Sequence, residues 1–81
     1  MKLEIVSPNG VIYDNQVVSV TLPGILGTFT VWEHHAPLIT TLTKGKITYK
    51  PTTKQVFALG IDGGFAEISN NTVKVCIEHM I

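Results

Sequence analysis

The sequence predicts an all-β fold, a flattened sandwich of two sheets that contains about ten short strands. No stretch shows the helical spacing of apolar residues, and short runs rich in Val, Ile, Thr, Tyr and Phe recur along the chain. Gly, Pro and Asn separate these runs at short intervals. A chain of 81 residues is too short for two ordinary domains, so we expect residues 1–81 to form a single sandwich.

The first third of the chain predicts three strands. Leu3 and Ile5 give the first strand one apolar face, and the run from Ser7 to Gly10 has the residue types of a turn. We expect residues 11–14 to pair with residues 17–22 across Asn15, with three inward side chains on the second of these strands: Val18, Val20 and Leu22.

The middle of the chain predicts two loops around one strand. Residues 24–27 form a loop with two large apolar side chains, and residues 28–32 form a strand in which Phe29 and Val31 share a face. A second loop covers residues 33–37.

The remaining strands are predicted as hairpins. Residues 38–42 and 47–49 flank Lys44-Gly45-Lys46, and Pro51 opens a polar tip before a strand over residues 55–59. The clearest strand is the last, where Val73, Val75 and Ile77 alternate with Lys74, Cys76 and Glu78. We expect it to pair with residues 65–68 across Asn70-Asn71.

Composition excludes several functional classes. The chain is 44% hydrophobic and has no apolar run near the roughly 20 residues of a membrane helix. Six lysines balance six acidic residues and arginine is absent, which argues against a nucleic-acid-binding protein. No secretory signal follows Met1, and Cys76 stands alone, so we expect a cytosolic chain without an internal disulfide.

No motif predicts a metal site, a cofactor or catalysis. The adjacent His34 and His35 point to opposite sides of an extended chain, and Cys76 with His79 is only half of a zinc site. Asp62-Gly63-Gly64 lacks the rest of a phosphate or calcium loop and is better explained as a tight bend. The sequon Asn70-Asn71-Thr72 is interpreted as a hairpin turn.

Covalent chemistry lacks its usual residues as well. No nucleophile motif surrounds Cys76 or any serine, so we do not expect an enzyme. A lipoyl or biotinyl carrier domain would need a swinging lysine between characteristic neighbours, and Lys44, Lys46 and Lys54 do not have them. By contrast, Ile25, Leu26 and Trp32 put large apolar groups in or beside loops, which is typical of a protein-contact surface.

Residues along the whole chain resemble the epsilon subunit of F-type ATP synthases. The most specific match is Leu22-Pro23-Gly24 with Gly27 and Val31, followed by the run from His35 to Thr40 with the sequence HAPLIT. Further matches lie outside this region, at Val6-Ser7-Pro8, Tyr13-Asp14, Gly45 with Ile47, Gly63-Gly64-Phe65, Glu67, Asn71 and Val73.

The resemblance implies a ten-strand sandwich at the foot of the central stalk, where a non-catalytic rotor subunit couples the gamma subunit to the membrane c-ring for proton-driven ATP synthesis. It implies peripheral attachment, through the complex, to the cytoplasmic face of the bacterial inner membrane. By position, the expected gamma-contact residues are Ser7, His35, Ala36, Pro37, Leu38 and Thr40, and the expected ring-contact residues are Gly27, Thr28 and Glu33.

The sequence departs from the family at three points. Glu33-His34 stands where many members have Pro-Asn or Pro-Gly before the signature histidine. Many members have Glu where Thr28 stands, and many continue into an inhibitory helical hairpin that these 81 residues do not contain. We therefore expect coupling without inhibition. The alternative interpretation is a free-standing β-sandwich adaptor or carrier domain.

Overall fold

The computed structural model describes residues 1–81, and all of its regular elements are strands. There are nine of them: β1 (Lys2–Ser7), β2 (Gly10–Gln16), β3 (Ser19–Gly24), β4 (Gly27–Trp32), β5 (Leu38–Leu42), β6 (Gly45–Lys50), β7 (Phe57–Ile61), β8 (Gly64–Ser69) and β9 (Thr72–Ile77). The chain has no helix that is long and apolar enough to cross a bilayer. The predicted all-β fold class is confirmed.

The nine strands form one hydrogen-bonded sheet that curls into two layers. Layer one has the order β2-β1-β9-β8-β5, and layer two has the order β4-β3-β6-β7. The layers meet where β5 and β3 share a single register pair, Leu42 with Gly24. After β9 the chain crosses to layer two, where Met80 forms an isolated bridge with Ile61, so a tenth strand is reduced to one pair.

The core is filled from the inner faces of both layers. Layer one contributes Leu3, Ile5, Val73 and Val75, each with no exposed surface, because alternate residues of a strand point to the same side. Layer two contributes Val20, Leu22, Val31 and Ile47, which are equally buried. The predicted inward faces of β1, β4 and β9 are confirmed, since the half-buried Phe29 also packs against this core.

The predicted pairing of the second and third strands is wrong. β2 pairs only with β1, whereas β3 pairs with β4, β5 and β6. The chain crosses between the layers after β2, where the Val17 amide donates to the Met1 carbonyl and the Val18 amide donates to the Lys50 carbonyl. Val17 is buried and Val18 is only half-buried, so the expected inward position of Val18 is also wrong.

Two smaller differences concern the hairpins. The strand expected at residues 55–59 runs over Phe57–Ile61 instead, because the turn after β6 extends through Val56. β5 and β6 do not pair with each other, since β5 pairs with β8 and β6 pairs with β7. The hairpin of β8 and β9 across Asn70-Asn71 is confirmed, and both asparagines have positive φ, 50° and 57°, as a tight two-residue turn requires.

Candidate protein-interaction surfaces

The expected gamma-contact residues lie at two distant corners of layer one. Ser7 is the last residue of β1, whereas the loop from Glu33 to Pro37 lies at the other end of the sandwich and leads into β5. The register between the strands of layer one puts Ser7 level with Leu42 and puts Leu38 level with Leu3. With three strand spacings and four residues between the two corners, they are about 20 Å apart.

Hydrogen bonds hold the shape of each corner. The Asn9 amide donates to the Ser7 hydroxyl oxygen over 3.2 Å within the turn between β1 and β2. At the other corner, His34 has a φ of 61° and its amide donates to Asn71 Oδ1 over 2.9 Å. The Nδ1 atom of His35 lies 2.7 Å from the Ala36 carbonyl oxygen, and because a carbonyl can only accept, this ring nitrogen carries the proton.

The expected ring-contact residues are also separated. Gly27 and Thr28 begin β4, and Glu33 follows its last residue, so about 20 Å of extended chain lies between Gly27 and Glu33. Glu33 accepts from the Met1 amino group over 3.0 Å, and this hydrogen bond together with the positive charge lowers the pKa of its carboxyl group. Glu33 is therefore next to the gamma-contact loop and away from Gly27.

A cleft at the open mouth between β4 and β5 joins members of the two expected sets. It has a volume of about 290 Å³ and is lined by Gly24, Leu26, Gly27, Thr28, Phe29, Leu38 and Thr40. No titratable side chain is among these residues, so the cleft offers only apolar contacts, backbone groups and the threonine hydroxyls. This composition suits a side chain of a protein partner better than a reactive substrate.

The turn between β3 and β4 presents two large apolar side chains to solvent. Leu26 is 99% exposed and Ile25 is 62% exposed. The turn is tied to β5, since the Ile25 amide donates to the Thr41 carbonyl and the Thr43 amide donates to the Pro23 carbonyl. A rigid turn with fully exposed apolar side chains is typical of a contact surface.

The outer face of layer one carries a row of apolar residues that sequence reasoning missed. The strand registers align Val11 with Val6, Val6 with Cys76, and Cys76 with Phe65, so these four side chains cross four adjacent strands. Ile39 lies on the fifth strand in the neighbouring row, opposite Glu67. We call Val6, Val11, Ile39, Phe65 and Cys76 the apolar stripe. Val11, Ile39 and Phe65 are 68%, 72% and 50% exposed, although outward positions of a solvated sheet are usually polar.

Charged residues flank the apolar stripe on the same face. Lys2 lies 3.3 Å from an Asp14 carboxylate oxygen and 3.4 Å from a Glu4 carboxylate oxygen. Hydrogen bonds to Asp14 and then to Glu4 raise the pKa of the Lys2 ammonium group. The strand registers align Glu4 with Asp14 and Lys74, so a charged row lies beside the apolar stripe, and the stripe itself lies at the Ser7 end of the face.

The residues considered as metal ligands or as a phosphate loop lie at separate positions of the fold. No three His, Cys, Asp or Glu side chains come close enough to hold a metal ion together. Cys76 is a free half-buried thiol of the apolar stripe, and His79 is exposed beyond the end of β9. Asp62-Gly63-Gly64 forms the predicted bend between β7 and β8, with φ values of 146° and 156° at the two glycines.

Comparison with known proteins connects this fold to one family. The family model described as "ATP synthase, Delta/Epsilon chain, beta-sandwich domain" matches residues 1–81. An ATP synthase epsilon chain of Sulfurimonas denitrificans is 44% identical over 78 residues, which are 96% of this chain and 60% of the relative. The chloroplastic epsilon chain of Cyanidioschyzon merolae is 38% identical over 95% of this chain and 58% of its own length. The chain therefore spans about three fifths of the length of these relatives.

Solved structures share the fold at low sequence identity. One chain of the Euglena gracilis mitochondrial ATP synthase, in a structure of OSCP, F1 and the c-ring, superposes with a TM-score of 0.90 at 18% identity, covering 98% of this chain and 51% of that chain. A chain from the central stalk and c-ring of the Tetrahymena thermophila mitochondrial ATP synthase gives 0.84 at 10% identity, covering 100% and 65%. These matches establish the sandwich architecture.

Proposed function

Because the chain belongs to the ATP synthase delta/epsilon chain family through its β-sandwich domain, we propose that it is a central-stalk subunit of an F-type ATP synthase. In this role it has no catalytic residues of its own and joins the gamma subunit to the c-ring, so that proton-driven rotation of the ring reaches the catalytic head. In this role its attachment to the membrane is peripheral and is made through the complex. By its bacterial relatives, the location is the cytoplasmic face of the inner membrane.

The main support for a gamma interface on layer one is the position of the apolar stripe, which lies between the expected contact residues Ser7 and His35. A partner that touches both Ser7 and His35 must span about 20 Å across the outer face of layer one. That face contains Phe65 and Ile39, which are half to three-quarters exposed in the free chain. Covering these side chains removes apolar surface from water, which supplies a favourable free energy of association.

The proposed ring interface is the end of the sandwich that carries the turn between β3 and β4. Gly27 and Thr28 lie there together with the exposed side chains of Ile25 and Leu26. The cleft places Thr28 beside Leu38, so the proposed ring and gamma surfaces meet at one edge. We leave Glu33 out of the ring interface, because it is bound to the Met1 amino group at the opposite end of β4.

The architecture suits the transmission of torque. One continuous sheet connects both proposed surfaces through backbone hydrogen bonds, and the 15 buried residues of the core leave the layers little freedom to slide. Force applied at the turn between β3 and β4 therefore reaches layer one through the Gly24 and Leu42 pair without an intervening hinge.

Binding to the gamma subunit of the same organism tests this function. We expect the purified chain to form a one-to-one complex with purified gamma at micromolar concentrations, measured by calorimetry. A cysteine introduced at Leu26 should crosslink to the ring in the assembled enzyme, and a cysteine at Lys54, at the opposite end of the sandwich, should not. Absence of a complex with gamma would exclude the central-stalk role.

A further inference from the structure

The outer face of layer two carries lysines without acidic partners. Lys46 and Lys50 lie on β6 and point to the same outer side as Thr48 between them, and Lys44 and Lys54 lie in the turns that flank this strand. These are four of the six lysines of the chain, and none of them takes part in the three ion pairs of the structure. We call these four residues the lysine face.

Acidic residues are concentrated elsewhere. Glu4, Asp14 and Glu67 occupy outward positions of layer one. Near layer two, Asp62 follows Ile61, the register partner of Gly45, and therefore lies at the end of β6 that is next to Lys44. Glu33 is bound to the Met1 amino group. The chain has a net charge of zero, but Lys2 and Lys74 share the outer face of layer one with carboxylates, whereas the lysine face has no acidic residue on its strand.

The surface around these lysines has no groove, and its large neighbouring side chains are at its margins, at Trp32 and at Ile81 beside Gly60. Short side chains occupy the neighbouring outward positions, namely Ser19, Thr21, Thr30, Ala58 and Gly60. A hydrogen bond of 2.8 Å links the hydroxyl groups of Thr21 on β3 and Thr30 on β4, which holds both side chains close to the sheet. Trp32 is 60% exposed at the rim, where Ser19 lies between it and Lys50. The cleft described above is lined from β3, β4 and β5 and does not include the lysine face.

We propose that the lysine face binds the anionic headgroup surface of a lipid bilayer. A planar face without a groove cannot enclose an extended acidic peptide, but it can lie against another planar surface with diffuse charge. Lys46 and Lys50 are about 13 Å apart along β6, so each ammonium group can meet a different headgroup. A tryptophan at the rim suits the boundary between headgroups and water. The binding surface is separate from the proposed gamma and ring surfaces.

Sedimentation with lipid vesicles tests this proposal. The probe is a set of phosphatidylglycerol vesicles, with phosphatidylcholine vesicles as the neutral comparison. We expect binding to phosphatidylglycerol at low ionic strength, loss of binding when salt shortens the screening length, and no binding to phosphatidylcholine. Because each lysine near an anionic bilayer contributes about a fivefold increase in partitioning, the double variant Lys46→Gln and Lys50→Gln should bind about 30-fold more weakly.

A matched control separates this face from net charge. The double variant Lys2→Gln and Lys74→Gln changes the net charge by the same amount on the outer face of layer one, and it should bind the vesicles as the unmodified chain does. Thermal unfolding of both variants checks that the fold is retained. The proposal is overturned if the unmodified chain does not bind phosphatidylglycerol vesicles, or if both double variants lose binding equally. It is also overturned if the chain binds polyglutamate but not the vesicles.

Discussion

The Glu33 carboxylate lies 3.0 Å from the amino nitrogen of Met1, which fastens the loop after β4 to the start of β1. This contact joins layer two to layer one at the end of the sandwich opposite the Gly24 and Leu42 pair. The Met1 side chain is only 1% exposed, so the amino group is held in place by the core.

The contact predicts how stability depends on pH. The hydrogen bond to the amino group lowers the pKa of Glu33 in the folded chain. The contact therefore adds to the free energy of unfolding above the ordinary glutamate pKa of 4.5, and this stabilisation is lost as the pH falls through the folded-state pKa. Urea unfolding between about pH 3 and pH 6 measures this contribution. In Glu33→Gln the free energy of unfolding should change less with pH over this range. An equally steep change in this variant would assign the pH dependence to other carboxylates.

Val75→Ala tests the register of the last strand. Val75 has no exposed surface and lies between Ile5 and Ala66 in the strand registers. Removing two methyl groups from this site should lower the free energy of unfolding by about 1 to 3 kcal/mol. Lys74→Ala, one position away on the outer face, should change it by no more than about 0.5 kcal/mol. Similar losses in both variants would contradict the alternation of β9.

Gly64→Ala tests the close contact between β8 and β9. A Cβ atom at Gly64 would meet the carbonyl oxygen of Cys76 and the Cα atom of Ile77, both of which belong to the backbone and cannot rotate away. We expect a loss of about 2 kcal/mol or more in chemical denaturation. Gly60→Ala is the control, because the nearest atoms to its Cβ are in ordinary contact at 3.5 Å. A Gly64→Ala chain as stable as the Gly60→Ala chain would refute this account.

The sequence predicts the inner faces of this fold better than the strand pairings. Val73, Val75 and Ile77 alternate so regularly that one inner face follows from the 2-residue period of a strand alone. The pairing of β2 cannot be obtained in this way, since Val17 and Val18 continue an apolar pattern while the chain crosses to the other layer. The alternation of apolar residues along one strand does not determine which other strand pairs with it.

The apolar stripe could be predicted only in part. Phe65 alternates with the buried Ala66, so an outward phenylalanine could have been noticed in the sequence. Its alignment with Cys76, Val6 and Val11 depends on two hairpin registers and on the parallel register of Val6 with Cys76, two residues that are far apart in the chain. The separation of Ser7 from His35 has the same origin, whereas that of Gly27 from Glu33 follows from the length of β4 alone.

Substitutions in the loop before β5 and at its first residue should weaken binding to gamma without lowering the stability of the fold. Leu38 is 38% exposed at the cleft, and His35 lies in the loop fixed by Asn71. His35→Ala and Leu38→Ala should each weaken binding to gamma, by about 2 kcal/mol if the residue is an interface anchor, while the midpoint of thermal unfolding changes little. Calorimetric titration and thermal unfolding of the same samples provide both values. Parallel losses of affinity and stability would place these residues in the structural core instead.

The outer face of layer one, whose apolar stripe includes Phe65, is the surface that we propose for binding gamma. Titration calorimetry of gamma with the variants Phe65→Asp and Thr48→Asp is the decisive test, since each variant puts a carboxylate on a different outer face. We expect Phe65→Asp to lower the affinity at least about 30-fold, which corresponds to about 2 kcal/mol, and Thr48→Asp to leave it unchanged. Unchanged affinity in Phe65→Asp, or a loss confined to Thr48→Asp, would contradict the account.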